Sequence, residues 1–346
     1  MAGAGYRTFQ SGEVLTSTNV QTYLMDQAVQ VYAGTAARSS AIPSPSAGMV
    51  AYSTATGLQV FNGSAWVDVG GVGYGAATGG ASTASATVAG TAYTILTFTA
   101  TGTLTVTKAG FFDYLLVGGG CGCAFKTSTT AVGAGGGSGQ VTSGSIYLAA
   151  NSTITIGGGS AASNFTAGRR TASDTTLTVG SGYQTIYALG AVNESSAGSG
   201  AGDAWQVCTT SGAVAGATNT AGINNALYGY KGGNGNTADS GGGGGGFAGA
   251  GAAGVGATTG GVGGAGYDVS VFMGNGGTAL YKATGGGGGG TTAGGAGGNS
   301  SACGNAGSTN TTPGSAAANS GAGGGAGVGT PSTGLGGSGI AYIRFR

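Results

Sequence analysis

The chain has 346 residues, of which 84 are glycine, whereas charged residues make up only 5 % and histidine is absent. Glycine without a strict three-residue repeat excludes collagen, and the 40 % hydrophobic content with a formal charge of +1 argues against a disordered coil. No basic stripe extends beyond Arg169 and Arg170, so nucleic acid is not an expected partner. This composition predicts a structural protein that acts through surface contacts and does not catalyse a reaction.

The sequence gives no sign of a membrane segment or a disulfide framework. No uninterrupted apolar stretch reaches membrane-spanning length, and the N-terminal segment lacks the apolar core of a signal peptide, so we expect neither membrane insertion nor secretion by the common route. The four cysteines are too few and too scattered for a disulfide scaffold, and we interpret them as buried or incidental free thiols.

The first elements in the chain belong to a module over residues 1–70, which is poorer in glycine than the rest. Thr18 and Gln21 fit a capping box, and Val20, Tyr23 and Leu24 then fall on one helical face, which predicts a helix over 19–27. A second short helix is predicted over 36–40, because Pro43 disfavours a longer one.

Three alternating segments follow and predict a small β-meander. They lie around 48–52, 56–63 and 65–69, with Asn62 and Gly63 as the hairpin turn. We therefore expect a small α+β adaptor over 1–70, followed by a Gly/Ser/Thr linker over 71–86.

Residues 87–346 predict a mainly β domain. Strands are expected at 94–99, 103–107 and 111–117, with Ile95, Leu104, Val106, Leu115 and Val117 as core residues. Further strands are predicted at 146–148, 153–156, 177–179, 185–189, 269–272, 278–281 and 340–345. Many short strands without a long helical pattern favour a β-sandwich of the jelly-roll, TNF-like type, closed by the last strand.

Between these strands lie glycine runs such as 241–246 and 285–290. Ordering a residue costs about 1–2 kcal/mol of backbone entropy, and a net hydrogen bond returns about 0.5–1.5 kcal/mol, so an isolated glycine rod is not stable. Several runs in the extended polyglycine II conformation can pair side by side when strands anchor their ends. The sequence therefore predicts polyglycine II helices inserted in the sandwich.

No motif supports a cofactor, a metal or an active site. DYLLVGGGCGC resembles a dinucleotide-binding start, but Cys123 stands where the third glycine belongs and no helix pattern follows. GGAGYDVSV matches a calcium-binding nonapeptide repeat once only, so Asp268 is better interpreted as a strand cap. The carboxylates form no close pair in the sequence, and the commonest general base, histidine, is missing.

Aromatic residues in or beside glycine-rich stretches are the best candidates for recognition. Trp205, Tyr228, Tyr230 and Phe247 have few large neighbours in the sequence, and aromatic side chains on loops supply contact area at low entropy cost. The alternative is that they fill gaps between the sandwich and the glycine layer.

Two segments carry a family resemblance. The N-terminal sequence from FQSGEVLTSTNVQTYLMDQAVQ to LQVFNGSAWV resembles the N-terminal module of tailed-bacteriophage tail fibre and minor tail proteins. TLTVTKAGFFDYLLVGGG and the terminal GGSGIAYIRF are similar to the glycine-rich domains of phage adhesins. Related glycine-rich regions, including that of the anaplastic lymphoma kinase ectodomain, combine a jelly roll with packed polyglycine II helices.

The resemblance implies a virion protein of the tail, assembled in the host cytoplasm, whose N-terminal module docks onto other tail or baseplate proteins. Phe9, Val20, Tyr23 and Leu24 are the attachment residues that we expect in this module. The distal domain is expected to bind a host surface glycan or protein, and a homotrimer is implied because tail fibres are commonly trimers. A head fibre or capsid decoration protein is the alternative.

Overall fold

The computed structural model describes residues 10–14, 16–20, 29–69, 73–125, 132–164, 170–180, 184–193, 229–236, 240–256, 258–275, 277–299, 303–304, 312–328 and 334–346. The chain divides into two compact units, Met1–Gly73 and Tyr74–Arg346, here called unit 1 and unit 2. Both are rich in strands, and the predicted mainly β class is confirmed.

Unit 1 contains two short helices and a four-stranded sheet in the order β1-β2-β3-β4. Its elements are α1 (Ser17–Val20), β1 (Gln30–Tyr32), α2 (Thr35–Ala41), β2 (Val50–Ser53), β3 (Gly57–Phe61) and β4 (Trp66–Asp68). β1 is parallel to β2, and the other pairs are antiparallel. The predicted second helix and meander are therefore present.

Two details of unit 1 differ from or refine the sequence prediction. Thr16, two residues before the predicted capping residue Thr18, accepts the N–H of Asn19 through its Oγ1, and α1 begins at Ser17, earlier than expected. Most of the helix predicted over 19–27 lies outside the described residues. The expected turn at Asn62 and Gly63 is present, with Gly63 at φ 103° and the Asn62 side chain accepting the N–H of Ala65.

Unit 2 is built around two five-stranded sheets. In spatial order, the first sheet contains β11 (Val141–Leu148), β9 (Gly110–Val117), β20 (Ile340–Phe345), β7 (Thr91–Phe98) and β6 (Ser82–Val88). The second contains β16 (Gln184–Ala188), β15 (Thr175–Val179), β12 (Ser152–Thr155), β8 (Gly102–Lys108) and β5 (Ala76–Thr78). Their facing side chains form one core, which includes Phe112, Ile154 and Ile343, so unit 2 is a β-sandwich.

Three strand pairs and one helix accompany these sheets in the described residues of unit 2. The pairs are β10 (Ala124–Phe125) with β13 (Ser163–Asn164), β14 (Arg170–Thr171) with β17 (Val192–Asn193), and β18 (Tyr267–Asp268) with β19 (Tyr281–Lys282). The helix is α3 (Ser270–Met273). Of the predicted core residues, Ile95, Leu104, Leu115 and Val117 are buried, and Val106 is partly buried against the core.

Three segments of unit 2 differ from the predicted elements. One is the strand predicted over 278–281, of which only Tyr281 belongs to β19. Residues 71–86, predicted as a linker, contain β5 and most of β6. The small, polar side chains of β6 hid this strand because they are largely exposed at the sheet edge and give no apolar alternation. Residues 269–272, predicted as a strand, lie in and beside α3, where Gly274 in the left-handed region ends the helix.

A second core lies on the opposite face of the first sheet. Ile95, Leu115 and Tyr342 point there and pack against Phe247 and Val269 from the glycine-rich part of the chain. The first sheet is therefore covered on both faces, by the second sheet and by the segments around α3.

The glycine runs extend from the ends of strands and pair with one another. Run 118–123 continues β9, run 133–139 leads to β11, and run 334–339 leads to β20. Gly118 donates to Gln140 O and Cys121 donates to Gly137 O, so the first two runs prolong the antiparallel pairing of their strands. The sandwich supplies the anchors that the entropy argument requires.

Candidate functional site

The glycine runs form a lattice in which hydrogen bonds recur at every third residue. In run 241–246, Gly241 and Gly244 donate to run 285–290, whereas Gly243 and Gly246 donate to run 249–254. All six carbonyl oxygens of run 241–246 accept backbone N–H groups from other runs, which are 133–139, 229–235 and 260–266. A three-residue period with bonds only between neighbours is the pattern of polyglycine II.

Glycine is required here because the runs approach one another backbone to backbone. A Cβ placed on any residue of 241–246 would overlap a carbonyl oxygen of a neighbouring run; for Gly244 it is that of Gly136. No glycine of this run has a positive φ, so the requirement concerns space and leaves the backbone unstrained. The lattice therefore supplies a packed support without side chains.

The end of the lattice remote from the sandwich consists of short turns, which we call the far-end turns. Their described residues are Val132, Asn236, Ser240, Val255, Gly256, Thr258, Thr259, 290–293 and Val328. Since run 241–246 reaches the sandwich at Phe247, its first residue marks the far end. At about 3.1 Å per residue, the turns lie roughly 20 Å beyond the sheet edge.

Lateral hydrogen bonds join the far-end turns into one surface. Ser240 Oγ donates to Gly256 O over 3.0 Å, and Thr292 N donates to Thr258 O over 3.0 Å. Val255 is 66 % exposed, and Thr258 and Thr292 are exposed. The described residues of this surface carry no formal charge, so they offer hydroxyl, amide and methyl groups to a ligand.

Two pairs of threonines mark this surface in the sequence, whereas the prediction considered aromatic residues only. The first pair, Thr258–Thr259, is followed directly by a glycine run. The second pair, Thr291–Thr292, is followed directly by a run of glycine and alanine. The structure places the two pairs side by side.

The predicted recognition aromatics do not gather at the far end in the described part of the chain. Phe247 is 7 % exposed and meets the Tyr267 ring edge to face at 5.8 Å between centroids, as the gap-filling alternative expects. Tyr230 is partly exposed, and its N–H donates to Gly246 O, which is at the sandwich end. Trp205 and Tyr228 lie outside the described residues.

The expected attachment residues belong to unit 1. Val20 is partly exposed in α1, whereas Phe9, Tyr23 and Leu24 lie outside the described residues. The structure therefore assigns no common surface to these positions.

The most connected polar cluster of unit 2 centres on Asp113 in β9. Arg344 donates to its Oδ2 from Nη2 over 2.9 Å and from Nε over 3.2 Å, and Tyr74 and Ser145 also donate to the carboxylate. The Arg344 guanidinium stacks on the Tyr93 ring at 4.5 Å. Several donors therefore hold this carboxylate, and the cluster connects Tyr74 with four strands of the first sheet.

The described residues contain no cluster of metal ligands, and the one thiol with a shifted pKa is not reactive. No three His, Cys, Asp or Glu side chains within them lie close enough to hold a metal ion. Burial raises the pKa of Cys121 to about 11, and its Sγ donates to Ala191 O over 2.9 Å, so this thiol is protonated at neutral pH. No helix of the described chain is long and apolar enough to cross a membrane.

Asp268 is the last residue of β18, and its carboxylate binds the backbone at the start of α3 and beyond its end. Its Oδ1 accepts the N–H groups of Ser270 and Leu280, each over 2.9 Å. These bonds, chiefly that from Ser270, lower the pKa of the Asp268 carboxyl. The carboxylate therefore fixes the start of α3 to the chain before β19, and calcium is not needed to explain it.

A β-sandwich whose strands continue into a lattice of glycine runs defines a class of glycine-rich β proteins. A family model described as a glycine-rich domain matches residues 97–346, and the chain belongs to this family. A comparison with curated protein sequences gave no match.

Proposed function

We propose that this chain is a phage virion protein, a tail fibre or minor tail protein, that binds the host surface without catalysis. The N-terminal sequence resemblance supports attachment of unit 1 to other tail or baseplate proteins. The resemblance of TLTVTKAGFFDYLLVGGG and GGSGIAYIRF to the glycine-rich domains of phage adhesins supports a host-binding unit 2. Assembly as a homotrimer and location in the tail are part of this proposal. It requires no cofactor, nucleic acid or membrane insertion.

The far-end turns carry the proposal. The chain begins unit 2 at Tyr74, which pairs with Phe111 at the start of β9, and β9 then leads to the lattice at Gly118. The far-end turns are thus separated by the length of the sandwich and the lattice from the point where unit 2 begins. A rigid support that ends in exposed turns is suited to present a contact surface to a partner.

The chemistry of these turns favours a neutral ligand. Thr258, Thr292 and Val255 offer hydroxyl and methyl groups without formal charge. Neutral glycan hydroxyls or protein backbone groups match such a surface, whereas a strongly charged polymer finds no counter-charge on its described residues.

Adsorption of virions that carry a double variant tests host binding. Thr258→Arg with Thr292→Arg places two large cations on the far-end turns, and we expect adsorption to fall about tenfold or more. Thr107→Arg in exposed β8 is the matched control, because it adds the same side chain away from the lattice.

Three further observations decide between the alternatives. Normal adsorption of the double variant, at an unchanged unfolding midpoint, contradicts binding through the far-end turns. Labelling of the chain in intact particles separates a tail appendage from the head fibre or decoration protein, which predicts signal on the capsid. Cleavage of a host glycan by the purified chain, lost on substitution of a carboxylate, contradicts the non-catalytic role.

A further inference from the structure

The four-stranded sheet of unit 1 has two faces of different chemistry. The strand registers place Gln30, Tyr32, Ala51, Ser53, Gln59, Phe61, Trp66 and Asp68 on one face. They place Val31, Val50, Tyr52, Leu58, Val60 and Val67 on the other, which we call the open face. All polar side chains of these strands other than Tyr52 are therefore on the first face.

The first face is covered by α2. Arg38 from this helix is buried, lies over the Trp66 ring at 4.6 Å, and donates to Gln59 Oε1. Gln59 Nε2 donates in turn to Asp68 Oδ1 over 2.7 Å. The polar side chains of this face thus find hydrogen-bonding and stacking partners within unit 1.

The open face is apolar and exposed. Val31 is 69 % exposed, Tyr52 42 % and Val67 40 %, and Val50, Leu58 and Val60 between them are partly exposed. Val29 and Val69 extend the same alternation beyond the strand ends and are about half exposed. No charged residue lies on this face within the described strands.

Sheets normally bury an apolar face against a second layer. The valines and the tyrosine of the open face present on the order of 500 Å² of surface, in the range that marks an association site. Two such faces together bury about 1,000 Å², near the lower limit of a specific interface.

We propose that the open face packs against unit 1 of other copies of this chain. A neutral apolar face is complementary to itself, because contact between two copies brings no like charges together and leaves no charge unpaired. A second copy of the chain is also present wherever the chain is synthesised, so this partner is always available. This inference concerns assembly and does not require host binding; only the expected number of copies, three, rests on the proposed function.

The molar mass of the full chain in solution tests the inference. By light scattering at micromolar concentration, we expect at least twice the 32.0 kDa of one chain, and three times that mass if the proposed function also holds. Tyr52→Glu and Val67→Glu place a charge on the open face and are expected to reduce the molar mass to that of one chain. Ala55→Glu in the exposed β2–β3 turn is the matched control and should leave the assembly intact.

A milder pair of variants covers the case in which glutamate unfolds unit 1. Val31→Thr with Val67→Thr keeps the β-branched shape, and we expect the dissociation constant of the assembly to rise about tenfold with an unchanged circular dichroism spectrum. A monomeric wild-type chain, or folded open-face variants that remain assembled, overturns the inference. Two copies that separate on these substitutions support the open face and contradict the trimer, while adsorption tests host binding independently.

Discussion

At the scale of single residues, glycine in this protein is selected by the space left for it. No glycine of run 241–246 has a positive φ that would demand glycine, yet a Cβ on any of them meets a neighbouring carbonyl oxygen. Exposed positions within the outer lattice runs, such as Ala252 and Val262, tolerate side chains because they face solvent. The composition is thus a consequence of backbone-to-backbone packing.

Gly244→Ala tests this explanation. The added methyl group would overlap Gly136 O in the middle of the lattice, and we expect a loss of about 3 kcal/mol in the free energy of unfolding. Gly158→Ala is the control, because nothing lies within 4 Å of its Cβ position and its φ is not positive. Its effect should stay within about 0.5 kcal/mol. Equal effects of the two substitutions in denaturant titrations would refute the packing explanation.

Tyr342 gives the protein a dependence on alkaline pH. Burial raises the pKa of Tyr342 from 10.0 to about 12. Because the folded state holds this proton more tightly, the stabilisation is complete below pH 10 and is lost as the pH rises towards 12. From pH 9 to 12, we expect the wild type to lose about 2 kcal/mol more than Tyr342→Phe. Identical pH profiles of the two unfolding curves would contradict the effect of burial.

At the scale of elements, the sequence predicts those strands whose side chains form a core. β9 and β20 were predicted closely because their apolar residues are continuous and buried on both faces. β6 was missed because its Ser, Thr and Ala side chains contribute little to a core, and its pairing with β7 is a backbone interaction. The pairing of the glycine runs could not be predicted for the same reason, since glycine has no side chain that specifies a partner.

α3 shows how local hydrogen bonds override strand propensity. Val269–Phe272 has the composition of a strand, but the Asp268 carboxylate binds two backbone N–H groups and Gly274 ends the segment in the left-handed region. The result is a helix that places Phe272 and Met273 against the second core.

Asp268→Ala should therefore destabilise unit 2 by about 1 kcal/mol, because two backbone N–H groups lose their acceptor. Asp268→Asn keeps the Oδ1 acceptor and should cost less. Because the two bonds lower the pKa of Asp268, its contribution is present above the unfolded pKa and is lost as the pH falls through the folded value. Thermal unfolding at neutral and acidic pH checks both statements; an alanine variant no less stable than the asparagine variant would contradict this role of the Asp268 acceptor.

At the scale of the whole molecule, the composition of each segment determines its structural role. Side chains build the sandwich and the second core, backbone builds the lattice, and the turns between glycine runs provide exposed side chains. The sequence predicted this architecture, including polyglycine II, from the need to anchor glycine between strands. It did not predict the far-end turns as the candidate site, because the threonine pairs that mark them lack the contact area of aromatic side chains, on which the prediction relied.

The account depends most directly on the order of the glycine runs, and amide hydrogen exchange measures it. We expect the amides of Gly136, Gly244 and Gly286, which donate within the lattice, to exchange as slowly as those of β9 and β20, because opening one run exposes its neighbours. Exchange of these glycine amides at the rate of an unstructured peptide, with β9 and β20 still protected, would contradict the lattice and the support that it gives to the far-end turns.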